Sequence, residues 1–297
     1  MIITDNKIVA QEARHCGIEV LSPYCGIDNV FFRQVFKIFS RFKFLKKIFY
    51  NRKIKKCTDS VIIVFDSGMT ADFLCWIKEN QPDKKLIFWY WNPIRTTISL
   101  SSIPNGYTVW TYSRKEAADN NVLFHEQFFV GEDEAENVDE GYVFFIGKDK
   151  GRFNEIKQYE KILKEKGIPT KFIVVSDRRK IIKKDKEHLN KPLDYKSVQE
   201  LIKKCHVVFD YCLNKEDGLS LRPLEAVKYD KLLVTNNQSV LWADFYNVDD
   251  IFLLNQKGSD LVRFCNGLKT KTYINKQKYS FQTWYNDLCQ EEDEKKE

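Results

Sequence analysis

Short apolar runs of strand length alternate along the chain with segments whose apolar residues recur at helical spacing. In the first half, residues 60–65, 85–90, 107–111 and 123–129 have the apolar character of buried strands. Residues 70–79, and a segment that begins near Ser113, have the spacing of amphipathic helices. This order of strand, helix and strand predicts a parallel sheet with helices packed on its faces.

The same order restarts after a strongly acidic stretch at residues 131–140. That stretch has no apolar face to bury, which indicates a linker or an exposed loop. Beyond it the predicted strands are 142–146, 171–175, 206–211 and 231–235, and the predicted helices are 154–166, 198–204, 221–228 and 279–288. We therefore expect two Rossmann-like α/β domains, residues 1–135 and 136–275. Residues 276–297 are expected to form a helix that crosses back to the first domain, followed by a charged tail.

Two such domains are expected to face each other across a cleft, because open parallel sheets bind ligands beyond the carboxyl ends of their strands. No stretch of the 297 residues approaches the ~20 apolar residues that span a bilayer. The first residues lack the basic start and the apolar core of a signal peptide. The eight cysteines are scattered and contain no CxxC pair. These features predict a cytoplasmic protein with reduced thiols.

Positive charge is concentrated in residues 29–56, which hold ten basic residues and no acidic one. Apolar residues recur through 32–49 at helical spacing, so a helix with an aromatic stripe and a cationic face is predicted. Such a helix resembles an interfacial membrane binder. The cations expected to meet an anionic membrane on the acceptor side are Arg41, Lys43, Lys46, Lys47 and Lys53. The alternative is a helix packed on the sheet whose lysines are only solvated. Nucleic acid is not an expected partner, since no nucleic-acid-binding module is recognisable.

The most informative segment runs from the end of the predicted strand 206–211 through a glycine-containing loop into the helix 221–228. Ser220 is placed to cap that helix, and Pro223 is tolerated because it falls in the first turn. Free N–H groups at such a helix start favour an anion, and a diphosphate fits there. Asp217 and Glu225 flank the loop and are good acceptors for sugar and ribose hydroxyls.

These residues resemble the acidic-x7-acidic signature of GT-B glycosyltransferases, and the chain looks closest to the short bacterial enzymes of surface-polysaccharide and lipopolysaccharide assembly. The resemblance implies that Asp217 contacts the transferred sugar, that the backbone of Gly218, Leu219 and Ser220 binds the phosphates, and that Glu225 binds the ribose. The family usually has glutamate at both acidic positions, so Asp217 is a departure. The alternative is an ordinary α/β loop before a capped helix.

A basic turn follows the predicted strand 142–146. GT-B enzymes carry a glycine followed by cations at this place, and the matching residues here are Gly147 and the cations Lys148, Lys150 and Arg152. Fixed cations stabilise the negative charge that develops on a departing diphosphate. Arg222, in the first turn of the helix at the anion site, is a further phosphate contact. The alternative for the turn is a solvated basic loop.

In the first domain, Asp66 directly follows the predicted strand 60–65 and is the candidate general base for an acceptor hydroxyl. Its alternative role is that of a turn-forming aspartate that bonds the local backbone. Ser67, Gly68 and Asn92 are the other residues expected near it, and His125 is expected to be a structural strand residue.

The fold class expected from these observations is α/β of the GT-B type. The expected function is transfer of a sugar from a nucleotide-diphosphate sugar to a glycan, expected to be lipid-linked, in bacterial surface-polysaccharide assembly, with no cofactor and no metal. One alternative is a catalytically silent subunit of the same fold that binds a sugar nucleotide or stabilises a partner. Another is a polyol-phosphate transferase or an epimerase on the same scaffold.

Overall fold

The computed structural model of the protein describes residues 1–25, 47–131, 138–176, 188–189, 193–215, 218–254, 258–268 and 272–290. Four of the candidate site residues lie outside these ranges, namely Arg41, Lys43, Lys46 and Asp217. The chain divides into two compact units. Unit 1 consists of Met1–Glu126 and Phe281–Glu297, and unit 2 consists of Gln127–Ser280.

Unit 1 is built on a parallel sheet with the strand order β2-β1-β3-β4-β5-β6. Its strands are β1 (Ile2–Ile3), β2 (Val20–Leu21), β3 (Val61–Phe65), β4 (Lys85–Tyr90), β5 (Tyr107–Thr111) and β6 (Leu123–Phe124). Its helices are α1 (Lys7–His15), α2 (Ala71–Asn80), α3 (Arg114–Asn120) and the C-terminal α8 (Phe281–Gln290). The order places β1 and β3 side by side, with β2 and β4 on opposite sides of them.

The central strands of unit 1 are buried on both faces, which explains their continuous apolar sequence. Ile62, Val64 and Phe88 pack into a core on one face. On the other face, the fully buried Trp284 of α8 packs against Trp89 with ring centroids 5.1 Å apart and against Phe65 at 5.6 Å. Helix α8 thus completes the core of the first unit.

Unit 2 is built on a second parallel sheet with the order β12-β11-β10-β7-β8-β9. Its strands are β7 (Val143–Lys148), β8 (Thr170–Val175), β9 (His188–Leu189), β10 (Val207–Asp210), β11 (Leu232–Thr235) and β12 (Ile251–Leu253). Its helices are α4 (Phe153–Glu165), α5 (Tyr195–Lys204), α6 (Leu221–Lys228) and α7 (Gly258–Cys265). Val208 and Leu224 lie in the core on one face of this sheet, and Val207 and Phe209 lie in the core on the other.

The prediction of two parallel α/β sheets is confirmed. Unit 2 begins earlier than the acidic stretch suggests, because the segment before that stretch is tied to unit 2. The carbonyl oxygen of Val130 accepts hydrogen bonds from Gln199 Nε2 (3.0 Å) and Lys228 Nζ (3.4 Å), and Phe129 forms a parallel bridge with Ser280. The strand predicted at 123–129 is shorter in the structure: β6 ends at Phe124, and the residues from Gln127 onward belong to unit 2.

The helical spacing predicted through residue 49 does not hold at its described end. Residues Lys47–Phe49 and Arg52–Lys56 form two short 3-10 helices, separated where Tyr50 makes an antiparallel bridge with Tyr24. Asn51 caps the start of the second of these helices, since its Oδ1 accepts from the N–H of Lys53 at 3.2 Å. Within the described residues, every helix is too short or too polar to cross a membrane.

Candidate functional site

The strand order of unit 2 defines one place where a ligand crevice is expected. Counted from β7, the order of the six strands is the 3-2-1-4-5-6 order of doubly wound sheets, so the chain changes direction between β7 and β10. Loops that leave two neighbouring strands toward opposite faces open a crevice at their carboxyl ends. The basic turn after β7 and the glycine-containing loop after β10 both lie there.

Arg152 links the two loops. Its Nε and one terminal nitrogen donate to the carbonyl oxygen of Lys148, each at 3.1 Å, and its other terminal nitrogen donates to the carbonyl oxygen of Tyr211. A Cβ atom on Gly147 would lie 2.7 Å from a terminal nitrogen of this guanidinium, so the arginine crosses close to the backbone of the strand end. Lys148, the last residue of β7, and Lys150, in the turn that follows, are both exposed. The turn therefore presents a cation that is fixed and two that reach solvent.

Asp210, the last residue of β10, was not identified from the sequence. Its carboxylate is buried, and Oδ2 accepts a 2.8 Å hydrogen bond from the hydroxyl of Thr235 at the end of β11. Burial raises the pKa of Asp210 above its ordinary value, while the Thr235 hydroxyl and the charges of Arg152 and Arg222 oppose that rise. A charged residue that ends an apolar strand was the signal that could have found it.

The described part of the glycine loop is held by the segment that follows β11. The amide nitrogen of the Asn237 side chain donates to the carbonyl oxygen of Gly218 at 2.8 Å, and the N–H of Gly218 donates to the hydroxyl of Ser239 at 3.1 Å. Gly218 has φ +89°, a conformation that favours glycine. The side chain of Leu219, a candidate from the sequence, is buried in the core and anchors the loop.

Ser220 precedes α6, but its hydroxyl does not cap the helix. It lies 3.5 Å from Asp210 Oδ1 instead. Pro223 falls in the first turn of α6, as the sequence predicts. The side chain of Ser220 thus leaves the first N–H groups of α6 to another acceptor, which is the arrangement that an anion site requires.

Glu225 is fully buried within α6, and both of its oxygens are engaged. Oε1 accepts a 2.7 Å hydrogen bond from the hydroxyl of Tyr195, and Oε2 accepts from the Arg222 guanidinium. Burial raises the pKa of Glu225, and the charge of Arg222 and the hydroxyl of Tyr195 oppose the rise. Tyr195 is the first residue of α5. That end of the helix is capped by Asp194, whose Oδ1 accepts from the N–H of Ser197 at 3.0 Å.

A pocket of about 180 Å³ lies beside the glycine loop, at the carboxyl ends of β11 and β12. Its lining combines three leucines with polar side chains: Lys215, Asn236, Gln238, Leu241, Leu253 and Leu254. The amide of Asn236 is already used, since its Oδ1 accepts from the N–H of Cys212 (2.7 Å) and its Nδ2 donates to the carbonyl oxygen of Cys212 (2.8 Å). Lys215 and Gln238 are the polar groups that remain for a small polar ligand.

Unit 1 has its own change of chain direction, between β1 and β3. Asp66 follows β3 directly and is only 2% exposed. Its Oδ2 accepts from the backbone N–H of Asn92 (3.1 Å) and from the Asn92 side-chain amide (3.2 Å), which also lies 3.3 Å from Oδ1. Burial raises the pKa of Asp66, and the hydrogen bonds from Asn92 oppose the rise. Two candidates from the sequence, Asp66 and Asn92, are thus brought together.

Asp5, in the loop between β1 and α1, was missed in the sequence. Its side chain is exposed, and a Cβ atom on Gly68 would lie 2.9 Å from its Oδ2, so the carboxylate borders the turn after β3. The signal was available in the apolar start of the chain followed by Thr4, Asp5 and Asn6, with Asn6 capping α1. His125 was predicted to be a structural strand residue, but it follows β6; its ring nitrogens lie 2.9 Å from the carbonyl oxygen of Glu126 and 3.0 Å from Asp287 Oδ2.

The described end of the basic segment forms a cationic surface of unit 1. Five basic side chains are exposed there, and Ile48 beside them is 64% exposed. The five are Lys47, Arg52, Lys53, Lys55 and Lys56. Two of the five cations predicted for membrane contact, Lys47 and Lys53, are therefore exposed to solvent. We call the exposed side chains of residues 47–56 the 47–56 surface.

Potential metal ligands gather elsewhere. Within the part of the chain that the structure describes, Glu19, Cys57 and Asp59 have ligand atoms within 4.8 Å of one another, near the amino ends of the strands of unit 1. Asp59 is already paired with the N-terminal ammonium group at 2.6 Å. The cluster precedes β2 and β3, so it lies at the opposite edge of the sheet of unit 1 from Asp66 and Asn92, which follow β3 and β4.

Comparison with known proteins gives a fold likeness only. No protein-family model and no curated protein matches the chain. Among solved structures, the chain is similar to the apo form of the lipopolysaccharide outer core galactosyltransferase WaaB, with a TM-score of 0.49 and 11% sequence identity. The similarity covers 94% of this chain and 85% of that one. The description of two doubly wound units therefore rests on the sheets themselves.

Proposed function

We propose that the protein is a glycosyltransferase whose unit 2 binds a nucleoside diphosphate sugar at the change of chain direction between β7 and β10. The observation that carries the proposal is the convergence of fixed positive charge with the start of α6. Arg152 ties the basic turn to the end of β10, and Arg222 stands in the first turn of the helix. Cations and helix N–H groups together favour a diphosphate.

In the proposed reaction, the bond between the anomeric carbon and the terminal phosphate oxygen of the donor breaks. The anomeric carbon bonds to an acceptor hydroxyl oxygen, whose proton passes to a base. Lys148, Lys150, Arg152 and Arg222 would stabilise the charge that develops on the departing diphosphate. The pocket beside the glycine loop, with Lys215 and Gln238, is our choice for the transferred sugar, and Asp217 is proposed to contact that sugar.

For unit 1 we propose an acceptor role. A general base must come within hydrogen-bond reach of the acceptor hydroxyl. Asp66 is buried and held by Asn92, whereas Asp5 is exposed beside the same turn. We therefore assign proton acceptance to Asp5 and give Asp66 the task of holding the turn after β3. A lipid-linked glycan is the proposed acceptor, because the 47–56 surface has the cations and the exposed Ile48 that suit an anionic membrane face.

The test is a calorimetric screen of UDP, GDP and ADP, followed by donor hydrolysis assays with the sugar nucleotides of the base that binds. Binding of one nucleoside diphosphate together with release of its sugar supports the proposal. Binding without any hydrolysis or transfer would indicate a catalytically silent subunit instead. Absence of binding for every nucleotide would refute the proposal.

A further inference from the structure

The carboxylate of Glu225 is closed to a ligand in this structure. Its side chain is 0% exposed, one oxygen accepts from the Tyr195 hydroxyl, and the other accepts from the Arg222 guanidinium. A ribose hydroxyl could reach this carboxylate only by displacing one of the two side chains. Displacing Arg222 would leave a buried carboxylate without its cation, which is a costly arrangement.

The side chain of Arg222, unlike that of Glu225, reaches solvent. It stands three residues before Glu225 in α6, so the two share a face of the helix, and its side chain is 19% exposed. Among the described residues, Glu225 is the one hydrogen-bond partner of its guanidinium. A guanidinium carries five N–H donors in a plane. The donors that do not meet Glu225 remain for an anion at the start of α6.

The pair also fixes the direction of the arginine. A free arginine side chain has many rotamers, and a guanidinium that is already held loses less entropy when it binds a phosphate. Glu225 is itself held by Tyr195, whose helix begins at the Asp194 cap. A chain of contacts therefore runs from α5 through Glu225 to the guanidinium.

We propose that Glu225 is a positioning residue that holds Arg222, and that Arg222, not Glu225, contacts the diphosphate of the bound nucleotide. The inference rests on the proposed function of unit 2. It replaces the direct contact between Glu225 and the ribose that the resemblance to GT-B enzymes implies.

The test compares Glu225→Gln and Arg222→Lys by calorimetry. The ligands are whichever of UDP, GDP or ADP binds the wild type, its 2′-deoxy form and the corresponding nucleoside. Glutamine keeps the shape of the side chain but removes the charge that holds the arginine. We expect each variant to bind the diphosphate about tenfold more weakly. Affinity for the nucleoside and the ratio between ribo and 2′-deoxy forms should stay unchanged. The double variant should bind the diphosphate no more weakly than either single variant, because both substitutions break the same ion pair.

A different pattern would overturn the inference while leaving the proposed function intact. If Glu225→Gln abolishes a preference for ribose that Arg222→Lys retains, or if the two losses add, then Glu225 binds the ribose itself. If the wild type binds none of the three diphosphates, the proposed function fails, and the inference fails with it.

A matched pair in the same unit controls for charge and helix position. Arg263 and Asp260 on α7 are also three residues apart, at 3.2 Å, but the arginine is 83% exposed. Asp260→Asn should change none of the three affinities. Unfolding temperature is measured for every variant. If Glu225→Gln does not fold, Arg222→Lys decides the question: an unchanged diphosphate affinity in this variant overturns the inference.

Discussion

Asp66 in unit 1 and Asp210 in unit 2 occupy the same place in their sheets. Asp66 follows β3 and Asp210 ends β10, and each strand borders the change of chain direction in its own unit. Both carboxylates are buried, and burial raises the pKa of both. Their neighbours differ. Asp210 lies near the charges of Arg152 and Arg222, whereas Asp66 accepts hydrogen bonds from the neutral amide of Asn92.

The comparison separates what strand order determines from what the loops determine. Strand order places a crevice at the carboxyl edge of both sheets. In unit 2, the loops place Arg152 and Arg222 near the carboxylate of Asp210. In unit 1, they give Asp66 a neutral partner and add a second acid, the exposed Asp5. The first environment suits an anion and the second suits an uncharged hydroxyl, in keeping with the donor and acceptor roles proposed here.

The largest expected effect comes from Arg152→Met, which removes the cation that ties the two loops of unit 2. We expect affinity for the nucleoside diphosphate that binds the wild type to fall by about thirtyfold, or about 2 kcal/mol, the scale of a lost charge-assisted hydrogen bond. Calorimetry measures it. Lys161→Met on α4 is the control, since that lysine is exposed and its ion pair with Glu165 lies on the helix surface. Equal affinity in the two variants would end the assignment of this crevice to an anion.

The second prediction uses pH to compare the two carboxylates directly. Because each pKa is raised in the folded protein, protonation stabilises the fold. That stabilisation is complete below the ordinary carboxyl pKa and is lost as the pH rises through the folded value. Wild-type unfolding free energy should fall with pH across that window. Asp66→Asn and Asp210→Asn should each remove part of this slope, because burial raises the pKa of both carboxyls. Urea unfolding at several pH values measures the slopes, and a variant whose slope equals that of the wild type would contradict a raised pKa for the carboxyl that it lacks.

The smallest effect is expected at the 47–56 surface. Lys47→Gln and Lys53→Gln should each weaken binding to vesicles that contain anionic lipid by about threefold at low salt, and less at moderate salt. Co-sedimentation measures it, with Lys115→Gln on α3 as the control: that lysine is exposed on unit 1 and faces Asp119 at 3.7 Å. Nucleotide affinity should not change. Wild-type protein that does not bind anionic vesicles even at low salt would remove the membrane from the proposal.

The sequence predicts the long buried strands well because a strand buried on both faces needs a continuous apolar run. The runs that became β3, β4, β10 and β11 are of this kind. The two-residue strands β1 and β2 carry too few residues for a strand pattern, and so Asp5 was not identified, although Asp66 and Asn92 in the same crevice were. The helical spacing predicted for residues 32–49 does not hold at its described end, where the bridge between Tyr50 and Tyr24 separates two short 3-10 helices.

The candidate site shows a similar limit. Spacing along one helix is local, so Arg222 and Glu225 could be recognised as neighbours from the sequence. The hydroxyl that engages Glu225 comes from Tyr195, which is 30 positions away on another helix, and burial of Glu225 depends on how α5 and α6 pack. The sequence could thus suggest the residues of the site, but not which of them solvent can reach.

The placement of α8 has a consequence for the order in which the chain acquires its structure during synthesis. Residues 127–280 leave the ribosome as one continuous block, so unit 2 can fold as soon as it emerges. Unit 1 is split around that block and lacks Trp284 until the residues of α8 are made. Until then Phe65 and Trp89 have no aromatic cover from α8. Unit 1 is therefore begun before unit 2 and completed after it.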